Sequence, residues 1–282
     1  MRRLDPRLTP ARPDLAARHL RGKVEAARFV DGERCQVLDV QAALRRAPAA
    51  DAPLDTEALM GELVTVYETD EGYAWGQLES DGYVGWLPQN SLGAPGPPAT
   101  HRVSTLRTLM FPGPSIRLPP LASPPLGARL AIVREQDRFA VTAAGGFVPK
   151  NHLRPLQNFE PDFVAVAERF RGTPYLWGGK TSHGLDCSGL VQISLAACGV
   201  PAPRDADLQE AALGAPIDPG GALEKLRRGD LLFWPGHVAI ARDRDTLLHA
   251  NAFHMMVELE PVADAIPRIR ASGSELSAVK RL

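Results

Sequence analysis

The stretch Gly184-Leu185-Asp186-Cys187-Ser188-Gly189-Leu190-Val191-Gln192-Ile193-Ser194-Leu195-Ala196-Ala197-Cys198-Gly199-Val200-Pro201 decides how the second half of this 282-residue chain is read. From Ser188 to Ala197 it is apolar enough for a buried helix, and Gly199 and Pro201 stop it. Upstream, Phe163, Val164, Val166, Ala167 and Phe170 fall at helical spacing and predict a helix that Arg171-Gly172 ends. Downstream, Leu231-Leu232-Phe233-Trp234, His237-Val238-Ala239-Ile240-Ala241 and Thr246-Leu247-Leu248-His249-Ala250 read as three short strands joined by turns. This half is α+β.

The helix places Cys187 in its first turn. Unpaired backbone N–H groups and the positive end of the helix dipole there favour a thiolate, so the position suits a nucleophile. A free thiol is only a few per cent ionised near neutrality, and an imidazole is needed to take its proton and later return it to a leaving group. His237, after Pro235-Gly236 at a strand start, is the candidate base. A third polar group should fix that ring through its other nitrogen. His249 lies on the next strand, and an odd-numbered connection through Arg242 to Asp245 would set it directly opposite His237. His254, five residues on, competes for this role, and His183 reads as a loop residue.

The first half has a different pattern. Gly61-Glu62-Leu63-Val64-Thr65-Val66 and Gly82-Tyr83-Val84-Gly85-Trp86-Leu87-Pro88-Gln89-Asn90-Ser91-Leu92 are echoed by Gly127-Ala128-Arg129-Leu130-Ala131-Ile132-Val133 and Gly146-Phe147-Val148-Pro149-Lys150-Asn151-His152-Leu153. An offset of about 60 residues with two copies fits tandem small domains better than a stacked array. Gly93-Ala94-Pro95-Gly96-Pro97-Pro98 between them reads as a linker. Short apolar runs bounded by Gly, Asp and Pro make each copy a small β-barrel. The amino-terminal segment, with Leu15, Leu20, Val24 and Phe29 among basic residues, reads as a helix laid across the domains.

Composition narrows the function. There are 32 Lys+Arg against 33 Asp+Glu, a formal charge of −1, so nucleic acid is a poor first guess for a partner. The 25 glycines and 26 prolines fit plentiful turns and short strands. Cys35, Cys187 and Cys198 form no disulfide scaffold and no C-x-x-C pair, so neither a structural metal nor a cofactor is expected. No apolar run is long enough for a membrane span, and no signal peptide is visible at the proline-broken start, which gives a cytoplasmic expectation.

Five blocks carry a family resemblance: Gly172-Thr173-Pro174-Tyr175-Leu176-Trp177-Gly178-Gly179, Asp186-Cys187-Ser188-Gly189-Leu190-Val191, Arg228-Gly229-Asp230-Leu231-Leu232-Phe233-Trp234, Gly236-His237-Val238-Ala239-Ile240 and Leu248-His249-Ala250. In this order they resemble the NlpC/P60 cysteine peptidases, and the repeat before them resembles bacterial SH3 domains, the first copy well and the second loosely. The resemblance implies an α+β papain-like catalytic domain preceded by two small SH3-like β-barrels. The expected division is an amino-terminal segment (1–34), a first (35–95) and a second (96–157) SH3-like domain, and the peptidase domain (158–282).

The same resemblance implies Cys187 as nucleophile, His237 as general base, His249 as orienting residue and Tyr175 near the oxyanion site. Family members of this arrangement cleave the γ-D-glutamyl to diamino acid bond of murein peptides, and those with SH3-like domains require a free L-Ala terminus. By that likeness Asp186 and Ser188 would bind the substrate ammonium, with Glu62 and Tyr83 reaching the groove; L-Ala-γ-D-Glu-diaminopimelate is the implied ligand. One buried ammonium needs carboxylate and hydroxyl partners, although Asp186 and Ser188 also suit helix capping. Arg204-Asp205 and Gln209 match a polar block common in the family, with a solvated loop as the other reading. A murein amidase or acyltransferase on the same residues, and a non-catalytic murein-binding module, are the competing functions.

Overall fold

The computed structural model describes residues 4–221 and 223–282. The chain forms two compact units, one ending at Leu156 and the other beginning at Gln157. Among the described residues no helix is long and apolar enough to cross a membrane.

In the first unit, seven strands form one antiparallel sheet in the order Leu54–Leu59, Gln41–Arg45, Val84–Pro88, Tyr73–Leu78, Leu63–Asp70, Glu33–Val37 and Leu92–Gly93. Alternation makes its core: Val64 and Val66 point inward between half-buried neighbours and join Leu44, Ala58, Ala74, Leu78 and Leu87. The second copy splits into two three-stranded sheets, one of Arg129–Leu130, His101–Val103 and Leu153–Pro155, the other of Ile132–Gln136, Phe139–Thr142 and Phe147–Pro149. The chain passes between them at Ala131, whose carbonyl accepts the Ala143 N–H instead of joining a ladder.

These sheets are open, where the sequence led us to expect closed barrels. One edge of the large sheet is a two-residue strand followed by the Pro95, Pro97 and Pro98 run, which has too few N–H groups to extend the pairing. The repeat itself is visible in the backbone. Both copies end in a strand, a proline, a short 3-10 turn and a strand, with φ −57° and ψ 125° at Pro88 against φ −55° and ψ 125° at Pro149.

The amino-terminal segment is not the expected helix. Leu15–Ala17 pairs in parallel with Arg28–Val30, and a single 3-10 turn, Arg18–Leu20, lies between them. Gly22, at φ +81°, turns the chain between Leu20 and Val24, where the helix would have continued. Leu15 packs on Trp75 and Trp86, and the Arg12 guanidinium stacks 4.4 Å from the Trp75 ring while pairing with Glu68.

The second unit is α+β. Six antiparallel strands run in the order Ala215–Pro216, Ala278–Arg281, Leu231–Trp234, His237–Ala241, Thr246–Asn251 and Met256–Pro261. The helices are α1 (Phe163–Glu168), α2 (Cys187–Ala197), α3 (Ala206–Ala212) and α4 (Val262–Ala271). Helix α2 is buried along nearly its whole length and packs on the strands His237–Ala241 and Thr246–Asn251. Asp186 caps its start by accepting the Gly189 N–H, and Gly199 at φ +78° ends it while Val200 N–H returns to the Leu195 carbonyl.

The two copies of the repeat meet at Gly61. Its φ is +83°, the Arg129 N–H donates to the neighbouring Met60 carbonyl, and a Cβ on Gly61 would lie 2.1 Å from the Arg129 carbonyl oxygen. Gly61→Ala is therefore expected to lower stability by at least roughly 1–2 kcal/mol from the backbone conformation alone, with the steric clash adding to it. A urea titration checks this, and an unchanged midpoint would contradict the account.

Candidate active site

Cys187 is 5% exposed at the start of α2. Its Sγ lies 4.0 Å from the Gly236 carbonyl oxygen and also accepts from the Val238 backbone N–H, so the sulfur rests against the residues flanking His237. Burial first, and the Asp186 carboxylate second, push the thiol up to about 12 against the lowering influence of Val238, Arg204 and Ser188. The helix start was expected to favour thiolate; in the resting site desolvation outweighs the dipole.

His237 Nε2 lies 3.0 Å from His249 Nδ1. The two residues are not directly opposed, as the sequence reading had them. Ile240 faces Leu248 and Ala241 faces Leu247, which carried along the strand sets His249 opposite Ala239 and makes the histidines diagonal neighbours on one face. Such diagonals lie within reach of ring side chains. Burial, then His249 and Arg268, drive His237 down to about 3 against the pull of Glu260, while burial also lowers His249.

The row continues onto the next strand. His249 Nε2 lies 3.0 Å from Glu260 Oε2, and Arg268 of α4 donates Nε to Oε1 at 2.7 Å and Nη2 to Oε2 at 2.6 Å. Burial raises the Glu260 pKa, but hydrogen bonds from His249 and Arg268 prevail and hold it down to about 2. His249, His254 and Glu260 bring possible ligand atoms within 4.8 Å of one another, but both Glu260 oxygens are already taken by Arg268, which disfavours a cation there.

Beside Cys187 lies a second charged group. Arg204, 1% exposed, donates to Asp186 Oδ1 at 2.9 Å and Oδ2 at 2.7 Å, to Ser188 Oγ at 2.9 Å and to the Gly179 carbonyl at 3.1 Å. Asp186 also accepts the Gly178 N–H at 2.8 Å. Arg204 and Gln209 are thus interior and Asp205 half-buried, where a solvated loop had been the other reading, and Gln209 donates to the Ser188 carbonyl.

This arrangement can be set beside known proteins. The NlpC/P60 family profile matches residues 172–270, and the bacterial dipeptidyl-peptidase Sh3 domain profile matches residues 44–92. Residues 172–270 are an NlpC/P60 domain. A bacterial SH3 domain precedes it. The chain is 40% identical to dipeptidyl-peptidase 6 of Lysinibacillus sphaericus over 33% of each chain. It is 29% identical to the gamma-D-glutamyl-L-lysine dipeptidyl-peptidase of Bacillus subtilis over 82% of each. The aligned region thus spans a third of the first relative's length and most of the second's. An NlpC/P60 family protein from Bacillus cereus shares the fold, with a TM-score of 0.74 at 21% identity, over 88% of this chain and 99% of that one. The papain-like α+β fold follows.

Within the NlpC/P60 domain, the structure brings together Cys187, His237, His249, Asp186 and Ser188. Tyr175 stands near them: its phenol is pushed upward by burial and then by Cys187 and Asp186. His254 turns its Nδ1 to Asn251 Oδ1 at 3.0 Å, and His183 is exposed in a turn. In the first unit Glu62 accepts the Leu59 N–H at 2.7 Å, and Tyr83 is part of the apolar core. The sequence reading missed Glu260 and Arg268. Nothing marks them locally, since Glu260 reaches His249 through strand register and Arg268 reaches Glu260 only once α4 has packed.

Two predictions follow from the charges. Arg204→Met leaves Asp186 buried without its cation and is expected to destabilise the domain by about 3–5 kcal/mol, read by chemical denaturation; a change within error would show the pair to be dispensable. His237 has a folded pKa of about 3 against an ordinary 6.5, so its neutral state supports the fold above 6.5 and that support is lost as pH falls toward 3. His237→Asn should flatten the stability profile between pH 6.5 and 4.5, and an unaltered slope would contradict the assignment.

Proposed function

We propose that the chain is a cysteine peptidase that hydrolyses the γ-D-glutamyl to diamino acid bond of murein peptides carrying a free amino-terminal L-Ala. The NlpC/P60 domain and its named relatives support a hydrolase of peptidoglycan peptides. The finer reading rests on one observation: Cys187 at the first turn of α2 lies against the backbone on both sides of His237, whose Nε2 is bonded to His249.

In this mechanism sulfur attacks the γ-glutamyl carbonyl while its proton passes to His237. The tetrahedral oxyanion is met by the Cys187 backbone N–H and the Tyr175 hydroxyl. The imidazolium then protonates the departing amine, the C–N bond breaks, and water hydrolyses the thioester with His237 again as base. By the family likeness, Asp186 and Ser188 would meet the substrate ammonium while sharing their oxygens with Arg204. A site built on such partners rejects a blocked terminus strongly. Free stem peptides would be the substrate, as in recycling.

The test is mass spectrometry after incubation with L-Ala-γ-D-Glu-meso-diaminopimelate, free or acetylated at the alanine amine. The free peptide should be cut after D-glutamate, the blocked one left intact, and Cys187→Ala should abolish turnover with the fold retained. Cleavage of both peptides would remove the amino-terminal requirement, and cleavage of neither would overturn the peptidase reading.

A further inference from the structure

We propose that Glu260 is a positioning residue that sets the tautomer of both histidines and leaves His237 Nδ1 as the nitrogen that takes the Cys187 proton. This inference rests on the peptidase reading for the direction of proton transfer, but its geometry is independent of any substrate.

The row of donors and acceptors runs inward from Arg268. Its guanidinium donates to both Glu260 oxygens, at 2.7 and 2.6 Å, which requires an ionised carboxylate able only to accept. His249 Nε2, 3.0 Å from Oε2, must therefore be the donor. A neutral imidazole carries one N–H, so His249 Nδ1 is an acceptor, and His237 Nε2 at 3.0 Å donates to it. His237 then holds its lone pair on Nδ1. The opposite arrangement would aim the lone pair of His249 Nε2 at the carboxylate.

The other groups around this row do not reverse the assignment. His254 is tied to Asn251, and Glu258, directly opposite His249 in the ladder, is turned to Arg171 at 3.0 Å. Each step is a same-face diagonal from strand to strand: His237 to His249, then His249 to Glu260. In turnover the proton leaves Cys187 Sγ for His237 Nδ1 as the S–C bond forms, and it later goes to the leaving amine. Glu260 keeps its charge throughout and stabilises the imidazolium through His249.

Two measurements test this. Nitrogen-15 spectra of the imidazoles in the unaltered protein near pH 7.5 should show Nε2 protonated and Nδ1 unprotonated on both His237 and His249; protonated Nδ1 on either ring overturns the proposal. In Glu260→Gln, alkylation of Cys187 by iodoacetamide, followed by peptide mass spectrometry, should slow about 100-fold near neutral pH. Its pH profile should shift while thermal unfolding stays cooperative, and kcat on the peptide should fall with KM little changed. A parental alkylation rate and profile in this variant would refute the positioning role. Parent protein that is alkylated by this histidine-dependent route yet leaves the peptide intact would instead count against the proposed substrate. Should the variant not fold, the spectra of the unaltered protein decide.

Discussion

The ion pair between Arg204 and Asp186 is the constraint on which the catalytic unit depends. An acid beside a nucleophilic cysteine opposes ionisation of the thiol, and a buried acid is costly in itself. Arg204 offsets the burial of the acid and part of its effect on the thiol. Its two bonds to Asp186 neutralise the carboxylate, and its bonds to Gly179 and Ser188 tie the loop before α2 to the helix's first turn. Asp186 is then free to cap Gly189 and hold Gly178. Such a pair adds little net stability compared with an apolar core, because desolvation offsets attraction. What it supplies here is geometry, since the start of α2 and the position of Cys187 follow from it.

The histidines answer to a second, separate charge pair on the far side of the sheet order. Glu260 and Arg268 come from the last long strand and α4, so the relay is complete only when the whole hairpin from His237 to Pro261 is in register. A slip of one residue would turn His249 to the other face and break both bonds. Leu247, Ala239 and Ala241, packed with Ala265 and Ile269, bury that face and hold the register.

Much of this could be read from the sequence because it is local. The Asp186 cap, the Gly199 stop and the strand runs from Leu231 to Ala250 are signals within a few residues, and the structure places these elements within a residue of the reading. The failures are non-local. Whether His249 faced His237 directly or diagonally turned on a two-residue difference in hairpin register, which the intervening residues do not encode visibly. A solvated loop stayed open beside the family polar block as a reading of Arg204, because burial of a guanidinium is set by partners 16 to 25 positions away. In the first unit, alternation located the strands but could not show that the sheets stay open, and the apolar spacing of Leu15 and Leu20 imitated a helix where the chain instead turns at Gly22 and pairs Leu15–Ala17 with Arg28–Val30.

The resting charges show how these parts act together. A thiol raised by burial and an imidazole lowered by burial form a neutral pair, unlike an exposed helix-start cysteine. Moving the proton between them creates two charges in a site that disfavours each singly. The thiolate and imidazolium attract one another, and the permanent negative charge of Glu260 lies on the imidazolium side, one ring away. Arg204 offers positive charge on the thiolate side. Within each buried pair the unfavourable member weighs more: Asp186 opposes the thiolate more than Arg204 favours it, and Arg268 opposes the His237 imidazolium more than Glu260 favours it, so charge separation depends on the attraction between thiolate and imidazolium. Arg204 and Glu260 are the two fixed charges of favourable sign, and because they are held in place before the proton moves they limit that opposition without any rearrangement.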